Sequence, residues 1–173
     1  GDTLLVAGRE IPLQAVTLNV GILYVFAMLS LGVYGVMIAG WSSANNYALL
    51  GGQRAAALMI SAEIAIGASI VGVIMVYGSL NLQDIVRGQG QPLLPQYLGQ
   101  WVPAWGLITQ FPAFFLFLTA GIAATRRIPF DMPEGESEII GYFVEYSGMK
   151  FGMFLMTDMV ETTVLAGLCT SLF

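Results

Sequence analysis

Histidine is absent, cysteine occurs once, at Cys169, and only six of the 173 residues are Lys or Arg. Iron–sulfur, haem and zinc sites are ordinarily built from grouped thiolates or imidazoles, so one thiol and no imidazole exclude them here. Any redox cofactor must therefore sit on a partner. A disulfide within the chain is excluded outright. The net charge of -5 excludes nucleic acid as a ligand, because phosphate backbones demand a concentration of Lys and Arg that is missing. Charge of either sign is scarce as well. Asp, Glu, Lys and Arg make up 10% of the residues, against roughly 25% in soluble domains. With 57% hydrophobic residues and a mean hydropathy of +0.77, the chain reads as an integral membrane protein.

What is present is long apolar runs. Four of them, 18–39, 55–77, 105–124 and 151–173, approach the ~20 residues needed to cross a ~30 Å hydrocarbon layer. Inside lipid only a helix or a closed barrel satisfies its own backbone polar groups, and these runs lack the alternation of barrel strands. The expected fold is therefore all-α: a polytopic transmembrane bundle with four spanning helices, forming a single transmembrane unit over 1–173. Gly21, Gly32, Gly35 and Gly40 in the first run, and Ser61, Gly67, Ser69 and Gly72 in the second, are small residues that allow close helix contact. Pro112 removes a backbone hydrogen bond, so a kink is expected near Gln110 to Pro112. Loops are expected at 41–54, 78–104 and 125–150, preceded by a short tail that holds Pro12. The chain opens on Gly1 without an initiator Met and stops at Phe173 inside an apolar run, so it reads as a fragment.

The third loop is the most informative stretch. Asp131, Glu134, Glu136 and Glu138 fall within eight residues, and Glu145 follows. Asp131 and Glu134 have the spacing of a helix N-terminus that caps its own orphan N–H groups, so a short helix from Met132 towards Tyr146 is expected. Arg126 and Arg127 lie just upstream to offset these acids. One reading is a capped, solvated surface helix. The other follows from Phe130, Ile139, Ile140, Tyr142 and Phe143 beside the acids, and makes the loop a surface buried against a partner. The first and third loops must emerge on one side, carrying Arg54, Arg126, Arg127 and Lys150 against Arg9 and Arg87 on the other. That bias puts the acidic loop on the cytoplasmic or matrix face.

Acids also occur inside the runs. Asp158 and Glu161 stand three apart, hence on one helix face, and no Lys or Arg lies in their own segment. Carboxylates at such depth are costly, and their default reading is traffic of protons or ions. Repulsion and poor solvation are expected to leave the pair with about one proton near neutral pH; the bland alternative is a static polar contact. Glu63 is a third buried carboxylate, whose bland alternative is a structural hydrogen bond to Ser or Tyr on a neighbour. Asn45, Asn46 and Arg54 fit turn and interface roles.

These residues resemble a known pattern. Gly40-Trp41-Ser42-Ser43 running to Tyr47-Ala48-Leu49-Leu50-Gly51 is similar to the G-W-[AS]-S-x-x-x-Y-x-L-[LI]-G stretch of one family, the quinone-site membrane subunit of respiratory complex I, known as its H subunit. Arg54 with Ile60-Ser61-Ala62-Glu63, the run Gly78 to Val86, the loop Arg126 to Glu138 (R-x-P-F-D-x-P-E-x-E-x-E from Arg127 on), and Glu145 to Gly152 match in order. The resemblance covers nearly the whole chain and implies about the third to sixth of some eight helices.

It further implies a proton-translocating NADH:quinone oxidoreductase, located in the bacterial cell inner membrane or an equivalent energy-transducing membrane. Quinone would be shared with partner subunits, while NADH, FMN and iron–sulfur clusters would sit on those partners only. Peripheral quinone-module subunits and antiporter-like membrane subunits are the implied partners, with membrane lipid around them. No catalytic residue would lie in this chain alone and no metal is implied. Asp131, Glu134, Glu136, Glu138 and Glu145 would border the quinone chamber, Glu63, Asp158 and Glu161 would relay protons, and Arg54, Arg126 and Arg127 would be supporting charges. The chain departs from the family in four places. Asp158 replaces a frequent Glu, Ser30 stands where some members carry Glu, Ala62 replaces a frequent Tyr, and Glu161 is an additional acid. Two alternatives stay open: the homologous subunit of an energy-converting hydrogenase or an F420- or ferredoxin-linked oxidoreductase, and an independent ion channel or carrier.

Overall fold

The computed structural model describes residues 18–93, 103–131 and 141–173 with their side chains, and 3–6 and 9–12 as backbone. It is a helical bundle with a small hairpin at one terminus. Strands β1 (Thr3–Val6) and β2 (Arg9–Pro12) pair antiparallel, Leu4 opposite Ile11. Then follow α1 (Gly21–Ser42), α2 (Asn46–Tyr77), α3 (Leu82–Gln89), α4 (Gly106–Thr109), α5 (Phe111–Ala124) and α6 (Met149–Leu172). Helices α1, α2 and α6 are long and apolar enough to cross a membrane, and α5 is a shorter apolar helix. The expected all-α transmembrane bundle is what the chain forms.

Several boundaries differ from the sequence reading, each for a local reason. Helix α2 begins at Asn46 rather than at residue 55, because Asn45 caps it by accepting from the Tyr47 N–H at 2.9 Å. The polar residues Asn46, Gln53 and Arg54 resemble a loop in composition, yet Ala48, Gly51 and Gly52 beside them are buried on one helical face. At 32 residues, α2 is about 48 Å long at ~1.5 Å per residue, well beyond the ~30 Å hydrocarbon layer. The third run is broken rather than kinked. Gln110 leaves helical geometry at φ -137°, and Pro112 sits in the first turn of α5, where its missing N–H costs nothing. The middle loop contains α3, capped by Asn81 on the Gln83 N–H at 3.1 Å, with Ile85 fully buried. Within the expected loop helix, residues 142–145 form turns, and 132–140 lie outside the described residues.

Helix α1 packs on α2, and α2 on α5. The first contact depends on glycine: a Cβ on Gly40 would meet the Ala48 carbonyl oxygen at 3.0 Å and the Gly52 Cα at 3.2 Å. The second is tied by Gln110, whose Nε2 donates to the Gly72 carbonyl at 2.7 Å. Helix α2 ends where Gly78 takes up a left-handed φ of 66° and its N–H reaches Ile74 O at 2.7 Å. Helix α6 closes on α3 and α4, with the Leu107 N–H donating to Phe173 O at 3.1 Å. The outward faces are apolar: Leu31, Tyr34 and Ile38 on α1 and Met153, Met156 and Met159 on α6 are all more than half exposed. This inverts the pattern of a bundle in water.

Candidate proton-handling site

The acids on α2 and α6 face inward. Asp158 lies about 14 Å and Glu161 about 18 Å along α6 from its Met149 end, taking ~1.5 Å per residue. Both project toward the end of α5, where Arg126 meets them. Its guanidinium forms an ion pair with Asp158 through Nη2 and Oδ1, and the same nitrogen lies 3.9 Å from Glu161 Oε2. Arg126 is 4% exposed. It also leans on the Tyr142 ring, 5.4 Å from the centroid, and Nη1 approaches Met59 Sδ of α2 at 3.4 Å. Charge this deep needs a partner, and the turn that follows α5 supplies it.

How Arg126 reaches this place is a matter of backbone. The Arg127 N–H bonds Ile122 O at 3.3 Å and the Arg126 N–H bonds Ala123 O at 3.2 Å, the pair of bonds that ends a helix in a Schellman turn. In that turn the first residue beyond the cap is left-handed, and here it is Arg126 at φ 54°. A residue other than glycine costs roughly 1–2 kcal/mol in this conformation. With Arg126 in place, Asp158 and Glu161 are not left as uncompensated charges, a condition that costs about 3–5 kcal/mol when one partner of a buried pair is removed.

Glu63 occupies the facing side. One turn beyond Met59 on α2, it accepts a hydrogen bond from Ser30 Oγ of α1 at 3.2 Å, and it lies close enough to Glu161 for the two charges to interact. The Ser30 hydroxyl also lies 3.0 Å from Phe26 O. A hydroxyl has one proton and accepts in turn, so the site satisfies both states of Glu63. When Glu63 is ionised, Ser30 donates to it. When Glu63 carries a proton, it donates to Ser30, which donates to Phe26 O. A cavity of about 140 Å3, lined among others by Gly35, Met59, Arg126, Asp158 and Glu161, adjoins this group. A second, of about 350 Å3, lies between α1 and α6. Gly32, Thr157 and Glu161 line both.

The remaining candidates lie apart. Glu145 is exposed and accepts from Asn45 Nδ2 at 2.7 Å. Tyr146 OH donates to Ala39 O at 2.8 Å and pairs with Ser42 Oγ, so the segment after the loop is docked on the junction of α1 and α2. Asp131 is half-buried, and its Oδ1 finds no hydrogen bond among the described residues. Arg54 and Arg127 are exposed. Glu134, Glu136 and Glu138 lie outside the described residues. Sequence reasoning set Arg126 against the loop acids and overlooked Met59 and the buried Tyr142 as its neighbours. No spacing signal pointed to Tyr142, which lies in a turn; its ring and that of Tyr146 both pack on Phe154, at 5.8 and 5.3 Å.

The family model described as NADH dehydrogenase matches residues 3–173. The chain belongs to the NADH dehydrogenase family. The NADH-quinone oxidoreductase H subunit of Thermomicrobium roseum is 45% identical over 174 residues, which is 100% of this chain and 50% of that protein. Its namesake in Ralstonia pickettii is 45% identical over 168 residues, 94% of this chain and 47% of that protein. The NADH-quinone oxidoreductase H 2 subunit of Geobacter sulfurreducens is 44% identical over 174 residues, 100% and 49% respectively. The chain thus spans about half the length of the curated relatives it matches. The resemblance carried by the residue motifs is borne out, and with it membership of an NADH-quinone oxidoreductase family built on membrane helices.

Proposed function

We propose that this chain is part of the membrane subunit of a proton-translocating NADH:quinone oxidoreductase, and that Glu63, Glu161 and Asp158 carry protons through it. The observation behind this reading is their convergence from two different helices on one partly buried site with a hydroxyl and a guanidinium as partners. Nothing in packing alone requires three acids there, since apolar residues of similar volume stabilise such a site at least as well as a buried ion pair. A group that exchanges a proton needs partners in both states, and Ser30 offers them to Glu63.

In this reading the acidic loop, from Asp131 through Glu134, Glu136, Glu138 and Glu145, borders a quinone chamber formed with peripheral subunits. NADH, FMN and iron–sulfur clusters belong to those partners, and antiporter-like subunits receive the charge signal along the membrane. The protein resides in the bacterial inner membrane or its equivalent, with the acidic loop on the cytoplasmic or matrix face. The names of the relatives, all of them H subunits of NADH-quinone oxidoreductases, favour this over a hydrogenase-type subunit or a free-standing channel.

The test uses the assembled complex in vesicles. Glu63→Gln and Asp158→Asn are expected to assemble while NADH-driven quinone reduction and proton uptake fall at least tenfold. Wild-type turnover and pumping in both variants would falsify the relay.

A further inference from the structure

We propose that the gap between α1 and α6 holds one anionic phospholipid, its phosphate on Arg87 of α3 and an acyl chain running between the two helices as far as Glu161. The inference stands apart from the relay reading above and needs only that the helices lie in a bilayer.

Helix α6 packs on α3 and α5, while between it and α1 two cavities lie end to end. One, of about 320 Å3, opens at the Gly21 end of α1 against α3, with Ile22, Arg87 and Leu168 among its walls. The other is the cavity of about 350 Å3 that reaches Gly32 and Glu161. Tyr24 and Val25 line both, so the two form one groove. Each part falls in the range of about 300–1,000 Å3 that ligand sites occupy.

Polarity changes along this groove in one direction. At its outer end stand Asn81, Gln83 and Arg87, on the helix that follows the Gly78 end of α2. The Asn45 end of α2 holds Glu145, so α3 lies at the membrane surface opposite the acidic loop. Further in, Val25, Met28 and Leu29 of α1 share the walls with Val160 and Val164 of α6. From Ile22 to Gly32 the apolar stretch runs about 15 Å at ~1.5 Å per residue, which is the depth of one leaflet in a ~30 Å hydrocarbon layer. A polar end at the surface and an apolar length of one leaflet are the outline of a phospholipid.

Charge decides the headgroup. Arg87 is exposed, and among the described residues its guanidinium forms no ion pair or hydrogen bond. The acid one turn earlier, Asp84, does not line the groove and accepts from Ser79 Oγ at 3.2 Å. Asn81 uses its side-chain oxygen to cap α3, which leaves its amide N–H groups as donors on the same rim. A guanidinium takes a phosphate through two parallel N–H donors. A neutral lipid or an apolar helix would leave that cation without a partner. An acyl chain seated here puts hydrocarbon against Glu161 and closes the acid site on the side of α1.

The test uses the assembled complex with the full-length subunit, reconstituted in vesicles doped with phosphatidylglycerol or phosphatidylcholine that carries a diazirine midway along one acyl chain. After illumination, labelled peptides of α1 and α6 are read by mass spectrometry. Phosphatidylglycerol is expected to label Met28, Leu29, Val160 and Val164 about fivefold more than phosphatidylcholine, the factor that one basic residue at an anionic surface contributes. Arg87→Gln should abolish that preference and Arg87→Lys should keep most of it, with total labelling of the complex unchanged. Arg87 is exposed at the end of the bundle, so both variants are expected to assemble. Equal labelling by the two lipids in the wild type, or a preference that survives Arg87→Gln, overturns the proposal in favour of bulk lipid. Absence of label from the groove overturns it in favour of a protein segment seated there. Labelling is read without turnover, so intact pumping in Glu63→Gln and Asp158→Asn would sink the relay and leave the lipid site standing, and the reverse holds equally.

Discussion

The Ser30 hydroxyl of α1 and the Glu63 carboxylate of α2 meet across a helix interface, 33 residues apart in sequence and 3.2 Å apart in space. Loss of the hydroxyl strands a half-buried carboxylate, which costs about 1–3 kcal/mol. Ser30→Ala is accordingly expected to lower quinone-reductase turnover severalfold in assembled complexes, and Ser30→Thr to retain most of it. Equal rates for the two variants would remove Ser30 from the path.

The Arg126 ion pair makes a prediction about stability. Asp158→Asn leaves a buried guanidinium with Glu161 at 3.9 Å as its remaining carboxylate on α6. The penalty is up to about 3–5 kcal/mol, reduced because the Asp158 side chain is 21% exposed. Thermal melting of the detergent-solubilised complex should drop measurably for Asp158→Asn and less for Glu161→Gln, which removes the longer contact. Combining Arg126→Gln with Asp158→Asn should recover part of the loss, as coupled partners do in a double-mutant cycle.

Close packing of α1 on α2 predicts intolerance at Gly40. Even alanine there would press on the Ala48 carbonyl, and valine adds two methyl groups where no space exists, at a cost of about 1–3 kcal/mol or more. Gly40→Val should reduce the amount of assembled complex on native gels, while Gly35→Ala should leave it unchanged, since a Cβ at Gly35 meets nothing within 4 Å.

Docking of the segment after the acidic loop depends on one phenol. Tyr146 OH donates to Ala39 O and pairs with Ser42, so Tyr146→Phe removes bonds worth about 1 kcal/mol net. Amide hydrogen exchange over 141–148 should accelerate about fivefold, with α2 unaffected. Uniform exchange in the two proteins would mean that the aromatic packing and the Asn45–Glu145 bond hold the segment without the phenol.

What the sequence made legible follows from what kind of physics sets each feature. The spans of α1, α2 and α6 came through because hydrocarbon thickness translates directly into run length, whereas the third expected span is divided into α4 and the 14-residue α5. The start of α2 did not, because Asn46, Gln53 and Arg54 have loop-like composition while the helix that carries them is held by the Asn45 cap and by Ala48 and Gly52 on its buried face. Helix α3 was hidden among Gly and Gln residues, although its Asn81 cap is a local signal. At the site, the acids Glu63, Asp158 and Glu161 stood out by their cost in lipid. Their cation did not, because Arg126 is adjacent in sequence to the loop acids, and its pairing with a residue 32 positions later leaves no trace in spacing. A left-handed arginine beyond a helix cap is equally invisible, since the sequence signal for that turn is glycine.

The length of α2 has a mechanical consequence. Even tilted by about 40°, the upper end of the range for such helices, its ~48 Å still spans about 37 Å along the membrane normal, so one end must stand clear of the acyl chains. The Asn45 end, which grips Glu145, lies about 26 Å from Glu63. A single unbroken helix therefore carries both the grip on the segment after the acidic loop and, about 26 Å away, the carboxylate that Ser30 holds.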